Sequence, residues 1–109
     1  MKDDIAALAD PERLTPWLDA HIPSLGAGPL TAKKIHGGTS NVILSLNRGG
    51  GDTLSLRRPP AVPPPGSEKN VMREARVLTA LRGTDVPHPY CHGSCADAGV
   101  IGAPFYVMD

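Results

Sequence analysis

One glutamate sits where the sequence asks for an apolar residue. Along residues 70–82, NVMREARVLTALR, Val71, Ala75, Leu78 and Leu81 recur at helical spacing and define the side that must pack. Glu74 lies inside that stripe, three residues after Val71 and four before Leu78, while Arg73 and Arg76 point away. A carboxylate on the packed side of a helix is costly unless a cation meets it there. The strand-like stretch Leu54-Ser55-Leu56-Arg57 offers one, because alternation puts Ser55 and Arg57 on one face and the two leucines on the other. Arg57 is therefore the expected partner of Glu74; failing that, the glutamate sits solvated at the rim of the helix face. Arg58, one residue on and facing the other way, is the rival cation, since a one-residue slip of the strand would exchange the two roles.

A second group lies upstream, in KKIHGGTSNVILSLN at residues 33–47. Paired glycines weaken a strand. They also let bare backbone approach an anion closely, and the small side chains of Thr39, Ser40 and Asn41 can add donors. A third group, His88, Cys91, His92 and Cys95, has the residue types of a zinc site. Its spacing is cramped, positions 91 and 92 of a strand point to opposite sides, and no second ligand pair lies elsewhere. Two buried or half-buried cysteines and two surface histidines are the expectation there.

The elements that must position these residues follow from the pattern. Residues 10–22 read as a helix with Asp10 as N-cap and Pro11 in the first turn; Leu14, Trp17, Leu18 and Ile22 share a face, and Pro16 could restart the helix with Thr15 as its cap. From Leu30 to Arg58, strand, glycine turn, strand, glycine turn (Arg48–Asp52) and strand make an antiparallel meander. PPAVPPPG, residues 59–66, cannot donate to a sheet and reads as a stiff surface connection. The helix over 70–82 takes Asn70 as its cap and Gly83 as its terminator. An irregular strand after Tyr90, a turn around Asp97–Gly99 and a last strand from Pro104 to Met108 complete the chain. The fold class is α+β: a five-stranded antiparallel sheet with one packed helix, plus an N-terminal helix in residues 1–29 ahead of a lobe over 30–109.

Composition narrows the function classes. With 109 residues, 11 Lys plus Arg and 11 Asp plus Glu, the chain fits one small domain and carries no net field to draw in nucleic acid or an anionic membrane. No apolar run is long enough to span a bilayer, the opening MKDDIAALADPE is too acidic for a secretory signal, and two cysteines make a reducing cytoplasm the default. Trp17, Tyr90, Phe105 and Tyr106 are the only aromatics, so the core must be mostly aliphatic.

A glycine turn between strands one and two, a cation on strand three and an inward glutamate on the next helix are the parts with which protein kinases hold ATP. GGTSNVILSL, LSLRRPP, REARVLTALRGTDVPHP and IGAPFYVMD together resemble the N-terminal lobe of the aminoglycoside phosphotransferase-like kinases, from about Leu14 to Asp109. The subgroup most similar is the kinase domains found with acyl-CoA dehydrogenases. The resemblance implies that Gly37, Gly38, Thr39, Ser40 and Asn41 cover the nucleotide, that Arg57 replaces the usual strand-three lysine with Ser55 beside it, and that Glu74 orients Arg57. It implies that Phe105–Asp109, with Tyr106 and Met108, runs into the hinge that receives adenine. Arginine for lysine is not a small change, since guanidinium is a planar fork suited to bidentate phosphate contact; members of the resembled subgroup use arginine here, so the resemblance does not imply inactivation.

The same resemblance places the catalytic aspartate and the magnesium ligands in a second lobe, beyond Asp109. The expected cofactors are ATP and Mg, the reaction is transfer of the γ-phosphate to a small-molecule hydroxyl, and these 109 residues alone are expected to be inactive, with no catalytic residue of their own. The alternative is a non-catalytic binding or interaction module, in which an exposed sheet face and hinge edge would favour self-association.

Overall fold

The computed structural model describes residues 8–37, 42–49, 53–62 and 64–109. Helix α1 (Pro11–His21) and a 3-10 turn (Pro23–Leu25) precede strands β1 (Thr31–Gly37), β2 (Val42–Asn47) and β3 (Leu54–Arg58). Helix α2 (Ser67–Ala80) then leads to β4 (Cys91–Cys95) and β5 (Phe105–Met108). The strands form one sheet in the order β1-β2-β3-β5-β4, every neighbouring pair antiparallel. This is the α+β, kinase-like lobe that the sequence predicts.

Helix α1 starts where its cap dictates. The Asp10 carboxylate accepts the Glu12 N–H at 3.0 Å, and Pro11 stands at the first helical position. Pro16 does not restart it; the helix runs unbroken through that residue. The expected start of α2 is corrected. Gly66, at φ +83°, turns the chain out of the proline-rich segment, and the helix begins at Ser67, whose hydroxyl donates to the Pro64 carbonyl. Asn70 is inside the helix and accepts from Arg73. At the other end the helix proper stops at Ala80, with Leu81 as its C-cap, three residues before the positive-φ Gly83.

Strand alternation divides the packing into two layers. Val42, Leu44, Leu46, Leu54, Leu56, Phe105 and Val107 face one way and bury Leu14, Leu18 and Ile22 from the α1 side. Each large aliphatic side chain so buried contributes about 1.5–3 kcal/mol. On the opposite face Val71, Ala75 and Leu78 of α2 pack against Cys91, Tyr106 and Met108 in a much thinner core. Ile43, Ser45 and Ser55, on that second face, are only half-buried.

Two local irregularities matter. The β4–β5 register shifts between Cys91 and Gly93, and Gly93 at the shift leaves room for the Trp17 ring, which an added Cβ would meet at 3.4 Å. The shift also sends Cys91 into the α2 layer and Cys95 into the α1 layer. The β1–β2 register shifts between Lys34 and His36 and leaves Ile35 57% exposed, two residues before Gly37.

Candidate functional site

Strand β3 ends in two arginines with opposite surroundings. Arg58 is 3% exposed, and its guanidinium donates to the carbonyls of Pro59 at 2.7 Å, Leu8 at 2.8 Å and Ile101 at 3.1 Å. It is a clasp joining the N-terminal segment, the end of β3 and the β4–β5 connection. Burial lowers its pKa, against the pull of Glu68, yet a guanidinium stays charged at any ordinary pH. Arg57 faces the other layer. Its Nη1 donates to Glu74 Oε1 at 3.1 Å, and the two side chains are 26% and 37% exposed. The choice between the two cations is thus decided in favour of Arg57 as the partner of Glu74, because alternation delivers only that one to α2.

A third residue completes the cluster. Tyr106 lies directly across from Arg57 in the β3–β5 ladder, is 1% exposed, and donates its hydroxyl to the same Glu74 Oε1 at 3.0 Å. Arg57 Nη1 also reaches the Tyr106 oxygen at 3.5 Å. Burial works to lower the Arg57 pKa, but the Tyr106 hydroxyl and the Glu74 carboxylate outweigh it and the net direction is upward. Burial raises the Tyr106 pKa above its ordinary 10.0, with Arg57 opposing. Arg57 Nε is buried and has no acceptor, and it is the only buried side-chain nitrogen or oxygen among the described residues left so. An orphaned donor on a charged group is costly to keep buried.

These residues line a cleft of about 510 Å3 whose other walls are Arg73, Val77, Leu78, Pro89 and Met108. Just past Met108, His92 Nε2 sits 2.6 Å from Asp109 Oδ1, and the Asp109 N–H donates to the Tyr90 carbonyl, fixing the chain where β5 ends. Ser55 pairs with Ser45 and Met108 on the Arg57 face. Gly37 closes β1 opposite Val42. Gly38, Thr39, Ser40 and Asn41 lie outside the described residues, as do positions 50–52 of the second turn. Tyr106 and Met108 enter the site through their side chains, their backbones being paired with β3 on one side and β4 on the other. Among the described residues no three His, Cys, Asp or Glu side chains converge as a metal site would require, and Cys91 and Cys95 are separated by the sheet itself.

The chain matches the profile of the Phosphotransferase enzyme family over residues 31–109. It belongs to that family. The phosphotransferase lobe is 37% identical to a candidate aminoglycoside phosphotransferase from Ralstonia eutropha JMP134 of known crystal structure, with a TM-score of 0.71 over 90% of this chain and 26% of that one. It is also 38% identical over 88 residues to Acyl-CoA dehydrogenase family member 11 of Gallus gallus, covering 79% of this chain and 11% of the relative. With Acyl-CoA dehydrogenase family member 11 of Homo sapiens it shares 32% identity over 105 residues, 92% of this chain and 13% of the relative. The lobe therefore spans a small part of the proteins it resembles.

Sequence reasoning found Arg57, Glu74 and the face of Ser55, and missed the Tyr106 hydroxyl as their third partner. The signal was present in part: FYVM alternates, so Tyr106 shares a face with Met108. Which residue of β3 it would meet depends on a register between strands far apart in sequence.

Proposed function

We propose that this phosphotransferase lobe binds ATP and supports transfer of its γ-phosphate to a small-molecule hydroxyl. The observation that carries the proposal is the Arg57–Glu74 contact in the wall of the cleft, which leaves the Arg57 side chain 26% exposed. A charged donor held at a cleft wall by a helix carboxylate fits an incoming phosphate oxygen. Arg57 would hold the phosphates and Glu74 would orient Arg57. Gly37 and the residues up to Asn41 would cover them, and the half-buried Ile43, Ser45 and Ser55 would floor the site. ATP would supply the phosphoryl group, and the metal that neutralises its charge would take ligands from outside the described residues.

The contact is too exposed to matter much for stability, since pairs of this kind contribute about 0–1 kcal/mol to folding. Its value lies in placing charge. The test is a titration of the 15N-labelled chain with ATP and, separately, with adenosine. ATP should shift the signals of Arg57, Glu74 and the β1–β2 turn in wild type, more weakly in Arg57→Ala, and adenosine should leave the Arg57 side chain unmoved. Identical ATP titrations of wild type and Arg57→Ala would overturn the proposal.

A further inference from the structure

We infer that Tyr106 is the positioning residue of this site: its hydroxyl pins the Glu74 carboxylate and thereby fixes where the Arg57 guanidinium points. The inference rests on the anion-holding role proposed for Arg57 and adds the element that makes that role geometrically definite.

Arg57 and Glu74 come from a strand and a helix, and both have long, rotatable side chains that are partly open to water. Left as a pair, the carboxylate could swing outward and take the guanidinium with it. Tyr106 removes that freedom. Its ring is 1% exposed and packed with Val71, Ala75 and Cys91, and a buried tyrosine has only two torsions to fix. Its O–H reaches Glu74 Oε1 at 3.0 Å, and Arg57 Nη1 reaches the same oxygen at 3.1 Å and the phenol oxygen at 3.5 Å. Three polar atoms thus close a triangle with one rigid corner. The bond to the carboxylate is charge-assisted, which strengthens that corner.

The ring alone would not need the oxygen. Phe105, next in the strand, fills the opposite layer with no hydroxyl and is fully buried. What the hydroxyl adds at position 106 is the contact to Glu74. Arg57 Nε is shut off from solvent and without an acceptor, and on this inference release of Nη1 would open it to water.

The experiment compares the 109-residue chain as wild type, Tyr106→Phe, Glu74→Gln and Arg57→Ala, with two readouts. The first is solvent exchange of the Arg57 Nε–H, identified by its loss in Arg57→Ala. The second is affinity for ATP in a nucleotide titration. Tyr106→Phe keeps the ring and should remain folded, and its Nε–H should exchange at least about tenfold faster, as it should in Glu74→Gln, which weakens the same contact from the other side. ATP affinity should fall about 3- to 30-fold in Tyr106→Phe. Wild-type exchange in both variants overturns the inference. Faster exchange with unchanged ATP affinity overturns it as well, provided that Arg57→Ala has lost affinity. If Arg57→Ala binds ATP like wild type, the phosphate role of Arg57 is what fails, and the exchange readout still decides whether Tyr106 holds the pair.

Discussion

Arg57 and Arg58 are neighbours of the same chemistry set to different work by a single step of strand alternation. Their substitutions should separate cleanly. Arg58→Ala strands three carbonyls that a buried guanidinium now serves, so urea unfolding should show a loss of about 2–3 kcal/mol. Arg57→Ala should cost no more than about 1 kcal/mol in the same assay. In an intact phosphotransferase carrying this lobe, Arg57→Ala or Glu74→Ala should lower kcat/KM by about ten- to a thousand-fold, the scale of one positioned electrostatic contact. Kinetics like wild type in both variants would refute the assignment. Tyr106 adds a dependence on alkaline pH. Its phenol is raised by burial in the folded chain, so the stability it contributes is complete below its ordinary 10.0 and is lost as pH rises through the folded value. Unfolding free energy should therefore fall more steeply above pH 10 in wild type than in Tyr106→Phe. Parallel curves would show that the phenol carries no such linkage. At this scale the sequence exposes Glu74 and Arg57, because a helical wheel and a period of two are local patterns. It does not expose the tyrosine contact, which needs a long-range register.

At the level of elements, the two helices illustrate what local signals resolve. Asp10 and Pro11 set the start of α1 because cap and first turn are encoded within four residues. Asn70 misplaces the start of α2. The apolar stripe begins at Val71, but the polar Ser67, Glu68 and Lys69 extend the helix by a turn once Gly66 releases the chain. Polar residues in the first turn of a helix carry no periodic signal, so the boundary is hidden. The thick layer under α1 should dominate stability. Leu18→Ala, fully buried in wild type, should cost about 2–5 kcal/mol by urea unfolding. It should leave the ATP-induced shift of Arg57 in place, because the sheet stands between that leucine and the cleft. Loss of the shift at temperatures where the variant remains folded would show that the layers are coupled.

As a whole the molecule is a slab of 42 × 36 × 23 Å, a sheet with a helix on each side. One side is the deep aliphatic core and the other carries the cleft. The family profile covers residues 31–109, yet the chain corresponds to only 26% of the Ralstonia protein. Phosphoryl transfer depends on many groups positioned around the γ-phosphate. The 109 residues, which match 26% of that protein, should release no measurable phosphorylated product with ATP and a panel of small alcohols. Turnover that survives chromatographic repurification would contradict this.

The register shift in β4 leaves the chain with one thiol on each side of the sheet, Cys91 at 1% and Cys95 at 7% exposed. Each is sealed until its own layer breathes, so the pair amounts to two internal clocks. Alkylation of Cys91→Ser would time the opening of the aliphatic side, and alkylation of Cys95→Ser that of the cleft side. If saturating nucleotide slows only the second clock, then ligand tightens one half of the slab and leaves the other to open at its own pace.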